Sequence, residues 1–307
     1  MNSILYLILV CLLVAPLSAQ RMPDRFVVFN PLFNADDNLP DDSTAYIHSF
    51  GGFAEFASYA IKRDFEHAWN QKLGTFVEFF RTGSSSSLAF VGNIEFVANS
   101  DNDIGFKPRS IFWEEGFVYT RKSGDNFWQL GYMHRCKHDI DNYLYGKERA
   151  LIFGSIQGKF LTPFDFLEEQ ENALFTLRGE LYTIRQDYRY PNSWMPVNSN
   201  WKQLIGSLGF NFNFTKKLSS NYWNYYFNSY SMVNFFSKNE EFLDRFSSFQ
   251  KVDINAGIAT GIAIRGKAEF RIGLTYDYLS DTGINPYPEK AHLVKLGVFI
   301  LNHTSYR

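Results

Sequence analysis

The chain has 307 residues, and its 30 Lys and Arg stand against 32 Asp and Glu for a formal net charge of −2. That length fits one large domain or two small ones, and the lack of a basic excess argues against a nucleic-acid partner. Aromatic residues are abundant, with 32 Phe, 18 Tyr and 6 Trp making up 18% of the chain, yet 20% is charged, so apolar and polar groups must alternate closely.

The first element is an apolar run from Ile4 to Val14, followed by Pro16 and Leu17-Ser18-Ala19. It reads as a secretory signal peptide, residues 1–19, cleaved after Ala19. Cys11 sits inside the run and leaves with it. Cys136 is then the single remaining cysteine, so no intramolecular disulfide can form. Residues 20–45 carry Pro31, Pro40 and the acidic group Asp36, Asp37, Asp41 and Asp42, which disfavour a strand. This segment reads as an N-terminal periplasmic arm, with a plug inside a barrel as the alternative.

From residue 46 to 307 the dominant period is two. Segments near 50–61, 72–82, 86–98, 109–121, 126–138 and 148–160 alternate. Ala173, Phe175, Leu177 and Leu181 then oppose Arg178 and Glu180. Leu204, Leu208, Phe210, Phe212 and Phe214 oppose Ser207, Gly209, Asn211 and Asn213. Trp223, Tyr225, Phe227, Val233 and Phe235 oppose Asn224, Asn228 and Asn234. The alternation is plainest in 252–264 and 267–278, joined by the tight-turn signal Arg265-Gly266. The last segment is 291–301. Roughly a dozen strands of about ten residues, the length a tilted strand needs to cross a bilayer, predict an all-β chain, a transmembrane antiparallel β-barrel of about 12 strands.

Short connections at Arg81-Thr82-Gly83-Ser84, Lys122-Ser123-Gly124-Asp125, near Lys216-Lys217 and at Arg265-Gly266 alternate with long ones at 186–200, 237–250 and 279–290. That is the pattern of a barrel with periplasmic turns and outer loops in a bacterial outer membrane. Its expected partners are outer-membrane lipid and the barrel-assembly machinery, although the terminal aromatic, Tyr306, is penultimate. Lys267, Glu269, Arg271, Asp253 and Arg178 are expected to form ion pairs filling the lumen. The acidic pairs Glu114-Glu115 and Glu168-Glu169 are expected to be solvated.

Chemistry concentrates between residues 131 and 142. His134, Cys136 and His138 share the parity of Trp128, Leu130 and Tyr132, so they face lipid at the outer end of the fifth strand, while Arg135, Lys137 and Asp139 face inward. A His two residues from a nucleophile on one strand, with an acidic residue about twelve later on the next, resembles the outer-membrane phospholipases and lipid A deacylases. The resemblance implies a lipid-modifying hydrolase, with His134 as general base, Cys136 where those families use Ser, and Glu148 orienting the His. Calcium enters as a cofactor by that analogy alone. The box Phe29-Asn30-Pro31-Leu32-Phe33-Asn34-Ala35-Asp36, with His134-x-Cys136-x-His138 and Asp141, also resembles a bacterial outer-membrane β-barrel family with a His-x-Ser-Ser-His motif. That likeness implies a barrel and makes His138 a further candidate. Two alternatives stay open: a metal site formed by His134, Cys136, His138 and Asp141, and a non-enzymatic structural or transport barrel.

Overall fold

The computed structural model describes residues 25–33, 39–40, 43–61, 67–98, 109–139, 149–164, 171–189, 195–196, 204–218, 222–237, 249–280 and 291–307. The proposed signal peptide, Asp141, Glu148 and the Glu168-Glu169 pair lie outside the described residues.

The strands are β1 (Thr44–Tyr46), β2 (Phe50–Ile61), β3 (Trp69–Thr82), β4 (Ser86–Ala98), β5 (Ser110–Ser123), β6 (Asn126–Asp139), β7 (Arg149–Phe164), β8 (Glu171–Arg189), β9 (Met195–Pro196), β10 (Leu204–Lys217), β11 (Trp223–Ser237), β12 (Phe249–Arg265), β13 (Glu269–Leu279) and β14 (Ala291–Leu301). Setting aside the short β1 and β9, twelve strands pair antiparallel with their chain neighbours. β14 returns to β2 and β3 pairs with β4, so the sheet closes into a barrel without free edges.

Each wall strand presents one face to the lumen and the other to the outside. Trp128, Leu130 and Tyr132 are 56%, 60% and 45% exposed, and Phe117, Leu177, Ile272, Leu274 and Leu296 are exposed in the same way on other strands. Their lumen-facing neighbours are buried and include polar or charged residues such as Gln129, Arg178, Arg271 and Lys295 beside apolar ones such as Met133 and Val118. An apolar surface of this extent, running around the wall, is not left to water. A sandwich would invert the pattern, with polar residues outside.

The lumen is filled. Arg135 pairs with Glu114 and Glu180, and Arg178 reaches Glu180 at 2.9 Å. Glu55 bridges Lys72 and Lys295, at 3.3 and 3.0 Å. Glu269 takes both Arg265 and Arg271. Asp253, Arg178, Glu269 and Arg271 thus belong to the buried interior, whereas Lys267 sits exposed in the turn after β12. Glu114 corrects the expectation of solvation, because it lies on the inward face of β5 and is 1% exposed. A carboxylate so placed stays charged only with cationic partners beside it.

Residues 25–33 run inside the barrel. Arg25 pairs with Asp277 at 3.0 Å and lies 3.6 Å from Glu95. The main-chain carbonyls of Phe26, Phe29 and Pro31 accept from Asn213, Gln129 and Arg81. Val28 and Arg307 exchange backbone hydrogen bonds, and Phe29 bridges Tyr306. Phe29, Phe53, Phe76 and Tyr306 pack together around this junction. The segment thus runs from the outer half of the barrel at Arg25, beside Asp277 and Glu95 near the long-loop ends of β13 and β4, to the short-turn end at Pro31 and Phe29, where it meets residues 305–307.

Register shifts interrupt the simple alternation at several points of the wall, and two of them redirect side chains. Between Glu78 and Phe80 a bulge lets both Glu78 and Arg81 point inward, where they pair at 2.7 Å. Between Leu204 and Gly206 a second shift turns Leu204 into the lumen, against Leu151, Phe153, Tyr182 and Phe236. Leu204 is thus not on the outer face that its parity with Leu208 suggests.

Candidate active site on the outer wall

β6 is held between β5 and β7 at full length. The hairpin before it turns at Gly124-Asp125, where Gly124 has φ 59°. That positive φ costs glycine little and fixes the register of β5 on β6. His134 comes opposite Glu115 on one side and Gly154 on the other, Cys136 opposite Trp113 and Ile152, and His138 opposite Ile111 and Ala150.

The three candidates share the outward face with Tyr132, Leu130 and Trp128. Alternate residues on a strand stand about 6.5–7 Å apart at Cα, but the side chains of His134 and Cys136 lean together. His134 Nε2 lies 3.0 Å from Cys136 Sγ. Either the thiol donates to a neutral imidazole, or a protonated ring donates to a thiolate. Both are states of one nucleophile–base pair. Cys136 is a half-buried free thiol.

The interior anchors this stretch of wall. Arg135, between the two site residues in sequence, points the other way and is 1% exposed. It donates to Ser155 at 3.0 Å besides its bonds to Glu114 and Glu180. Pinning Arg135 to β5, β7 and β8 limits motion of the backbone on either side, so His134 and Cys136 project from a rigid support. Gly154 contributes space, because a Cβ there would come within 2.5 Å of the Tyr132 hydroxyl. The Tyr132 ring therefore lies across β7 beside His134.

The acidic neighbour is Glu115. It faces outward directly across from His134, and directly opposed residues on antiparallel strands place their Cβ atoms about 4.5–5.5 Å apart. Its Oε2 accepts from Trp113 Nε1 at 3.1 Å, which holds the carboxylate on the wall beside the pair. The resemblance gave the orienting role to Glu148, which lies outside the described residues. Adjacent in sequence, Glu114 and Glu115 look like one solvated acidic pair. Their alternation sends Glu114 into the lumen and Glu115 to the outer face.

The described residues bring together His134 and Cys136, with Glu115 alongside, and place His138 one step further along the same face. Among them no three His, Cys, Asp or Glu side chains converge to hold a metal ion, and Asp141 lies outside them.

No protein-family model matches the chain, and no curated protein matches it. Among solved structures, LpxR from Salmonella typhimurium aligns with a TM-score of 0.45 and 8% identity over 82% of this chain and 99% of its own. An outer-membrane channel from Pseudomonas putida F1 aligns at 0.44 and 10% identity over 86% and 96%. The translocator domain of the autotransporter NalP from Neisseria meningitidis aligns at 0.37 and 10% identity over 81% and 87%.

Proposed function

We propose that this protein is an integral barrel of the bacterial outer membrane that cleaves ester-linked acyl chains from lipid at its outer wall. The observation that carries the reading is the 3.0 Å approach of His134 Nε2 to Cys136 Sγ on the lipid-facing side of a wall strand. The exposed apolar belt supports membrane placement. The short turns at 83–85, 124–125 and 266–268 support a periplasmic position for the end that carries them, and the His134–Cys136 pair then lies toward the outer leaflet.

The chemistry follows from the pair. Cys136 Sγ attacks the ester carbonyl carbon while His134 Nε2 takes the thiol proton. The tetrahedral intermediate collapses, the C–O bond breaks, and His134 returns the proton to the departing alkoxide. This leaves an acyl thioester on Cys136. A water molecule, deprotonated by His134, then attacks the thioester carbonyl, releasing the fatty acid and restoring the thiol. Glu115 orients the imidazole and stabilises its charged form. If an alcohol replaces water in the second step, the same pair performs acyl transfer. The filled lumen favours this reading over passage of a solute.

The test incubates the purified, refolded protein with acyl-labelled phospholipid and, separately, acyl-labelled lipid A. The wild type is expected to release labelled fatty acid from at least one of them, with Cys136→Ala and His134→Ala at background. Equal release by all three proteins would remove the enzymatic reading.

A further inference from the structure

A cavity of about 350 Å³ opens inside the barrel at the short-turn end, away from the outer wall and its thiol. Its lining joins the ends of several strands to the segment after β14, and brings Arg265, Arg271, His303 and Arg307 together with Asn172, Asn213, Asn228 and Thr215. The space would hold about ten waters at about 30 Å³ each, or one sugar-sized solute with a few waters.

The charges here do not balance. Glu269 is the carboxylate at this cluster, and it takes the Nε groups of both Arg265 and Arg271. Asn228, with its amide oxygen toward Arg271, accepts from that residue's Nη1 at 3.0 Å. Arg265 thus keeps its terminal nitrogens for another acceptor. Arg307 has no carboxylate partner among the described residues, and its guanidinium rests 4.7 Å above the Phe33 ring. Arg307 lies near enough to be repelled by Arg265 and attracted by Glu269, and an anion between the two arginines would relieve the repulsion. Two more polar atoms face no partner: His303 Nδ1, and Oδ1 of Asn213, a residue 6% exposed whose Nδ2 is spent on the Phe26 carbonyl.

We propose that this cavity is a binding site for a small, polyhydroxylated oxyanion, a carboxylate- or phosphate-bearing solute of monosaccharide size. Arg265 and Arg307 hold the anionic group in charge-assisted hydrogen bonds, and the amide and hydroxyl groups of the lining take the hydroxyls. The site is independent of Cys136, so it stands or falls separately from the lipid reaction.

The test is calorimetric titration of the full-length barrel in a non-ionic detergent at constant ionic strength. The probes are sodium glucuronate, sodium phosphate and, as an uncharged control, glucose. Both anions are expected to bind saturably with one site per chain, and glucose is not. The tighter of the two anions assigns the group the natural solute carries. Arg307→Gln and Arg265→Gln should each weaken binding about tenfold or more. Thr215→Trp, which fills the cavity and leaves every arginine in place, should abolish it, and this variant decides the matter if an arginine variant fails to fold. Absence of saturable binding by either anion would overturn the site, as would undiminished affinity in folded Arg307→Gln and Arg265→Gln or in Thr215→Trp.

Discussion

The imidazole of His134 and the thiol of Cys136 are useful to each other only because an extended strand points both to the same side. If their contact governs reactivity, His134→Ala should slow alkylation of Cys136 by a small maleimide by about tenfold in detergent micelles, because the thiol loses its proton acceptor. A rate unchanged by the substitution would mean the two groups are merely adjacent. Glu115→Gln keeps the bulk and the bond from Trp113 but removes the charge beside His134. It should lower kcat about tenfold to a hundredfold while leaving KM within twofold, and an unaltered kcat would demote Glu115 to interface decoration. At this scale the sequence was half legible. Period two alone put His134 and Cys136 on the outer face. The acidic partner was readable in principle, since Glu115 is as far before the Gly124-Asp125 turn as His134 is after it. What hides it is that it lies back across the hairpin from His134, next to the inward Glu114, and not forward along the chain.

Among the elements, turns and bulges decide which residues meet. Gly124 has φ 59°, and a Cβ built on it would touch nothing within 4 Å, so a substitution there meets only backbone strain. Gly124→Val should destabilise the barrel by about 1–2 kcal/mol, measured as a shift of the urea unfolding transition in lipid vesicles, without changing the slope of that transition. A loss much larger than this would mean the turn makes contacts that its open surroundings do not suggest. The twelve strands were legible because each alternates over enough residues to outvote its exceptions. The shift between Leu204 and Gly206 was not. Leu204 and Ile205 are both apolar, so a one-residue slip leaves the local pattern looking the same whichever of them faces in. Glu78 and Arg81 carried a weak signal, since two charged residues of opposite parity on one strand face the same lumen only if a bulge lies between them.

For the molecule as a whole, the interior is a set of paired charges with its own N-terminal segment threaded among them. Arg25 is the keystone of that segment, buried against Asp277 and Glu95. Arg25→Ala leaves two carboxylates short of a partner and should cost about 3–5 kcal/mol of unfolding free energy, read from the same vesicle transition. A loss under about 1 kcal/mol would mean Lys295, 3.7 Å from Asp277, compensates. The sequence allowed either an arm or a plug for this stretch, because Pro31 and the nearby acidic residues argue only against a strand and say nothing of where the chain goes. The inward aromatic cluster of Phe29, Phe53, Phe76 and Tyr306 depends on contacts between the two ends of the chain, and no local pattern reveals those. The outward apolar belt makes the wall the surface on which the proposed lipid reaction would run. The most direct measurement is therefore intact-protein mass spectrometry after rapid acid quench of the wild type with phospholipid or lipid A. The account predicts a single acyl adduct, removable by neutral hydroxylamine, mapping to Cys136 and missing from Cys136→Ser and His134→Ala. Fatty-acid release that proceeds with no adduct on Cys136, or with the same adduct in His134→Ala, would contradict it.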